Sequence, residues 1–147
     1  MKYLKLFLPA FLILSIFLIS CDDNDHDINL PINLLDDTYN NIPVSVNTLN
    51  SYTFTVAAND FDYSTEANLS FNNDSVVVAI TSTEVSAQNS YVKIFNSSNQ
   101  EIFSESLNES KVFVNTELGN ETPTKIKIEL NNFSGKLTFV LAENKKK

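Results

Sequence analysis

Six residues near the C-terminal end, Lys125-Ile126-Lys127-Ile128-Glu129-Leu130, alternate charged and apolar side chains without a break. Side chains of a β-strand point to opposite faces in turn, so this segment has one face for a core and one for water; a helix would scatter the same residues around its axis. The pattern predicts a half-buried strand with Ile126, Ile128 and Leu130 inward and Lys125, Lys127 and Glu129 outward. The same period of two recurs upstream. Val44 and Val46 alternate with polar residues, as do Tyr52, Phe54 and Val56 after a turn at Thr48-Leu49-Asn50. No segment of the region carries a helical apolar stripe with caps.

The remaining segments fit the same reading. Ala58 to Asn68 is expected to be a loop, followed by Leu69-Ser70-Phe71 and a turn at Asn72-Asn73-Asp74. Val76 to Ile80 is a nearly continuous apolar run, as in a central strand buried on both faces. Tyr91–Phe95 and Glu101–Ser106 flank Asn96-Ser97-Ser98-Asn99-Gln100 and read as a hairpin. Lys111–Asn115 is a further strand. Leu137, Phe139 and Leu141 form the last one, after a turn at Phe133-Ser134-Gly135. The expected fold is all-β: a single antiparallel β-sandwich of about eight short strands. Only two glycines are present, Gly119 and Gly135, so tight turns must use Asn or Asp, which tolerate positive φ better than other side chains.

The first 41 residues have a different character. Lys2 and Lys5 precede an uncharged stretch, Leu6 to Ile19, and then Ser20 and Cys21. As a helix those 14 residues would reach only ~21 Å, short of the ~30 Å hydrocarbon core of a bilayer. Asp22, Asp23, Asp25 and Asp27 follow, where a permanent span would carry a cationic stop. Leu18-Ile19-Ser20-Cys21 resembles the lipobox of bacterial lipoproteins, and Cys21 is the only cysteine in the chain. That resemblance implies a cleaved signal helix over 1–20 and a diacylglycerol thioether plus an N-acyl chain on Cys21. The lipid chains would anchor the protein without a protein span. Residues 21–41 then form an acidic, Asn-rich tether, 42–144 the sandwich domain and 145–147 a basic tail.

The aspartates behind Cys21 also bear on address. In the enterobacterial sorting rule, Asp directly after the lipidated cysteine retains a lipoprotein at the periplasmic face of the inner membrane. In other Gram-negative bacteria, an acidic cluster at this place resembles a signal for export to the cell surface. The dense cluster Asp22-Asp23-Asn24-Asp25-His26-Asp27 and the long tether after it fit the second pattern. The expectation is an outer-membrane, outward-facing, lipid-anchored protein.

Charge and side-chain inventory limit the chemistry. The formal net charge is −8, and loss of Lys2 and Lys5 with the signal leaves eight lysines against 18 acids, a charge of −10. Without arginine or a basic face, the chain is a poor ligand for nucleic acid. Lipidation of Cys21 leaves no thiol for a disulfide or thiolate metal site, so stability must come from a packed core, for which about 105 residues suffice. His26, the sole histidine, sits among tether aspartates and cannot be held as a catalytic base. The one cofactor the sequence offers a place for is Ca²⁺: Asp60, Asp62 and nearby Glu66 put hard oxygen ligands on the expected loop, without the full Asp-x-Asp-x-Asp-Gly pattern. Phe61 and Tyr63 flank those acids and stand either as an exposed aromatic contact or as pins into the core.

Tyr52-Thr53-Phe54-Thr55-Val56, a central Val-rich strand, Val92-Lys93-Ile94-Phe95 before a polar turn, and a late Gly135 together resemble small extracellular modules of the pre-peptidase C-terminal type. The resemblance implies a β-sandwich that binds surfaces or assists neighbours. The functional expectation is therefore a non-enzymatic surface lipoprotein in contact with a protein or glycan. The alternative is an accessory subunit of an envelope complex without a soluble ligand. An exposed apolar sheet face or edge strand would favour the subunit; a concave aromatic loop surface would favour glycan binding.

Overall fold

The computed structural model describes residues 39–144 apart from 73, 117, 119 and 120. Cys21, the aspartates at 22, 23, 25 and 27, His26 and the lysine tail lie outside the described residues. Within them the chain is all-β: β1 (Val44–Asn47), β2 (Ser51–Asn68), β3 (Val76–Ser86), β4 (Tyr91–Phe95), β5 (Glu101–Ser106), β6 (Lys111–Asn115) and β7 (Lys125–Glu143). All pairings are antiparallel and join the seven strands in one sheet.

The two long strands organise it. β2 and β7 pair with each other over nearly their full lengths, with register shifts between Ala58 and Phe61 and between Phe61 and Tyr63. The first half of β2 and the second half of β7 belong to the order β1-β2-β7-β3-β6. The other halves continue through β4 to β5. The sheet thus has a five-strand leaf and a four-strand leaf that share β2 and β7. One buried cluster draws on both leaves, from Phe54, Val78, Ile80, Phe139 and Leu141 on the first to Val92, Ile94, Ile126, Ile128 and Leu130 on the second.

The Lys125–Leu130 alternation behaves as expected: Ile126, Ile128 and Leu130 are buried, each contributing roughly 1.5–3 kcal/mol of apolar transfer. Two expected breaks are absent. The stretch 58–68 is strand, not loop; Phe61, Tyr63, Thr65 and Ala67 are partly buried while Asp62, Ser64, Glu66 and Asn68 are exposed. Asp60, at φ 50°, makes a bulge there that resets the alternation, and its N–H donates to Ser134 Oγ at 2.9 Å. Likewise, Phe133-Ser134-Gly135 is no turn: β7 runs through it, Phe133 is fully buried, and Gly135 at φ +135° lies against the backbone of Thr83–Val85. With those breaks gone, seven strands, two of them long, replace about eight short ones.

Positive φ falls at Asn41, Asp60, Asn89, Asn99 and Asn132, as a chain poor in glycine requires, and also at Glu84. Residues Asn40 and Asn41, which the sequence assigns to the tether, donate backbone N–H groups to Ala57 O at 3.1 and 3.2 Å. Side chains tie down the buried polar positions. Ser82 Oγ donates to Glu109 O and accepts from Lys111 N–H; Ser90 Oγ accepts from Asn131 N–H; Asn96 Oδ1 accepts from Ser98 and Gln100 N–H.

Candidate functional site

Residues directly opposite on paired strands project to the same side, so the registers define what each outward face carries. On the four-strand leaf, the rows Ser64–Glu129–Tyr91–Ser106 and Glu66–Lys127–Lys93–Ser104 cross from β2 to β5. This face is charged, and its charges are largely matched. Lys127 Nζ lies 2.9 Å from Glu129 Oε2, and Lys93 Nζ lies 2.8 Å from Glu101 Oε2. Tyr91 O–H donates to Glu129 Oε2 at 2.8 Å, and the ammonium groups of Lys93 and Lys127 sit 5.2 and 5.7 Å from the Tyr91 ring centre. Lys125 Nζ similarly stands 4.7 Å from the centre of the Phe95 ring. The Lys127 ammonium, and then the Tyr91 hydroxyl, hold the Glu129 carboxyl below the usual carboxylate range; Glu129 in turn raises Lys127.

The outward face of the five-strand leaf is the opposite in chemistry. One row runs Val44–Thr55–Thr138–Thr81–Val112 and the next Val46–Thr53–Val140–Ala79–Val114. A shorter third row holds Ser51, Ala142 and Val77. No residue in these rows is charged. Thr55 and Thr138 share a hydroxyl–hydroxyl hydrogen bond of 3.3 Å. The valines at both flanks are unusually bare: 53% and 55% exposed at Val44 and Val46, 79% and 61% at Val112 and Val114. At one end the face stops at Lys136, whose ammonium lies over the Tyr39 ring, and Tyr39 O–H donates to Glu84. With strands ~4.8 Å apart and same-face residues ~6.7 Å apart, two rows of five residues and one of three cover about 420 Å².

Two sequence expectations change here. β3 is not buried on both faces: Val76, Val78 and Ile80 are inside, but Val77 and Ala79 are half-exposed and belong to the outward rows. Val44 and Val46 point outward, and it is Ser45 that shares the inward side with Phe54. The sequence signal for this face was present but dispersed. Thr53, Thr55, Thr81, Thr138, Val112 and Val114 occupy outward positions where Lys125, Lys127 and Glu129 place charge on the other leaf.

The expected calcium ligands are not gathered on one loop. Asp60, Asp62 and Glu66 are exposed along β2, and Asp62 Oδ1 accepts the Asn132 N–H at 2.7 Å. Asp62 and Glu66 are four residues apart on a strand, about 13 Å. Among the described residues no group of three or more His, Cys, Asp or Glu side chains could hold a metal ion. Phe61 and Tyr63 stack at 5.7 Å between ring centres, Tyr63 stacks on buried Phe54 at 5.9 Å, and both pack against the core. They act as pins and do not form an aromatic platform. Compared with known protein families and with curated proteins, the chain finds no match in either.

Proposed function

We propose that this protein is a non-enzymatic, lipid-anchored envelope protein that docks as an accessory subunit of a protein assembly through the Val/Thr face of its five-strand leaf. The contrast between the two outward faces carries this reading. In a chain with a formal charge of −8, the outward rows of the four-strand leaf carry Glu66, Lys93, Lys127 and Glu129, whereas three adjacent outward rows of the five-strand leaf carry no charge. Contiguous exposed apolar surface of several hundred Å² marks interaction sites in soluble domains. A depletion of charge at its centre is what distinguishes the core of a protein interface from ordinary surface. Glycan contact is the poorer reading, because Phe61 and Tyr63 are spent on the core.

In this reading Cys21 carries the lipid, residues 22–38 span the distance from the bilayer, and the acidic cluster Asp22, Asp23, Asp25 and Asp27 directs the protein to the outer membrane, facing outward. The test is recovery of partners from detergent-solubilised envelopes with the full-length tagged chain. Thr138→Lys places a charge at the centre of the face and is expected to reduce recovery of any specific partner at least about tenfold. Lys93→Gln on the other leaf leaves it unchanged. Equal recovery by both variants, with wild-type folding in each, would overturn the docking face. Loss of palmitate labelling in Cys21→Ser tests the anchor separately.

A further inference from the structure

We infer that β6 is a self-association edge, through which two copies of this chain pair as a two-fold dimer and merge their Val/Thr faces. The free edges among the described residues are not equivalent. β5 carries Glu101 and Glu105, the second half of β2 carries Asp62 and Glu66, and such charges discourage further pairing. β1 is four residues long and follows Pro43. β6 has no charge after Lys111, no proline and no bulge.

The backbone of β6 points the same way. Lys111 N–H donates to Ser82 Oγ on β3, so the alternation turns the N–H and C=O of Val112 and Val114 towards the open side. These are also the two most bare residues of the strand, at 79% and 61% exposure. One pair of residues thus offers both the unpaired backbone and the apolar side chains that strand addition uses.

A second copy fits this edge by its own symmetry. Antiparallel pairing centred on Phe113 sets Val112 opposite Val114 of the other copy, with two N–H···O bonds for each such pair. Lys111 then faces Asn115, so no like charges meet in an acidic protein whose copies otherwise repel. The contact is isologous and closes without leading to fibres. It also resolves a shortage of area. One face of about 420 Å² is less than the ~800 Å² per partner of a standard interface, whereas two faces joined across β6 present roughly 840 Å². The inference rests on the edge of the proposed docking face, not on the identity of the docked protein or on the anchor.

The test uses the full-length chain. Val112→Cys and Val114→Cys chains carrying different tags are co-expressed, and envelopes are oxidised. A disulfide is expected between Val112→Cys and Val114→Cys chains but not between two Val112→Cys chains, whose Cα atoms lie beyond the ~7 Å a disulfide can bridge. Sedimentation of the detergent-extracted wild-type chain should show a concentration-dependent dimer. Val114→Pro removes an N–H that the ladder alternation turns away from β3, and is expected to weaken the dimer at least about tenfold with little change in melting temperature. A strictly monomeric wild type, crosslinks lacking this register, or a dimer indifferent to Val114→Pro would overturn the inference. So would a different protein crosslinked at Val112 in place of a second copy. Survival of the Thr138→Lys docking defect in a monomeric Val114→Pro background would show that the docking reading stands without the dimer.

Discussion

Replacing Gly135 by alanine tests the least expected feature of the fold, the passage of β7 through Phe133-Ser134-Gly135. A Cβ at this position would stand 2.8 Å from Thr83 O, 2.9 Å from Val85 Cα and 3.0 Å from Glu84 O. Carbon contacts prefer ~3.5–4.0 Å, and all three neighbours are backbone, so none can swing aside. The residue also holds φ at +135°, a region almost closed to other side chains. Overpacking by one methyl costs about 1–3 kcal/mol. The disfavoured backbone costs about 1–3 kcal/mol more. Gly135→Ala should therefore destabilise by roughly 2–6 kcal/mol, a fall in melting temperature of at least about 8 °C for a domain of this size. Were Gly135 in an open turn with compatible backbone angles, the same change would stabilise by about 0.4–1 kcal/mol through the unfolded state. Urea unfolding followed by circular dichroism separates the two by sign. Thr138→Ala, on the exposed face of the same strand, serves as a control within about 0.5 kcal/mol of wild type. A Gly135→Ala chain as stable as the wild type would refute the close approach of β3 to β7.

Other perturbations have equally definite outcomes. Burial, followed by the neighbouring Tyr63, raises the Tyr52 phenol above its ordinary value of 10.0. An acid raised on folding stays protonated while the unfolded chain ionises, so stability falls as pH climbs above about 10; Tyr52→Phe should hold its fold further into alkali in a pH-jump melting series. Glu129 is lowered by Lys127 and Tyr91. Its contribution is present above about pH 4.3 and disappears as pH falls through the lowered value, so Glu129→Gln should lower stability at neutrality, change little in strong acid, and thereby flatten the acid limb of the stability profile. Phe139→Ala empties the middle of the shared core and should cost about 3–5 kcal/mol in the same urea assay. Millimolar calcium should leave the melting temperature unchanged, since Asp60, Asp62 and Glu66 do not converge; a rise of several degrees would contradict that.

Much of this fold is readable along the chain, because a half-buried strand writes its pattern locally. Tyr52-Phe54-Val56 and Ile126-Ile128-Leu130 are inward as their spacing requires, and Tyr91–Phe95 with Glu101–Ser106 forms a hairpin. What was misread lies at irregularities. At Asp60 a bulge shifts the alternation by a residue, and the stretch beyond then looks like an acidic loop. At Ser134-Gly135 the residues favour a turn, and only the close pass of Thr83–Val85, some fifty residues away in sequence, explains the glycine within a strand. The candidate face was hidden for a related reason. Thr55, Thr138 and Thr81 become neighbours only through the order β2-β7-β3, and strand order is set by the packing of distant segments. Val112 and Val114 look inward-facing in isolation; their register with Thr81 and Ala79 turns them out.

The uncharged Val/Thr face, and not the ion-paired one, is proposed to meet another protein. Site-specific photo-crosslinking in intact cells tests it most directly, with the photoreactive residue placed at Thr138 on one face or at Lys93 on the other. Discrete crosslinked protein adducts are expected from Thr138 and none from Lys93. Adducts from Lys93 with none from Thr138 would contradict that proposal.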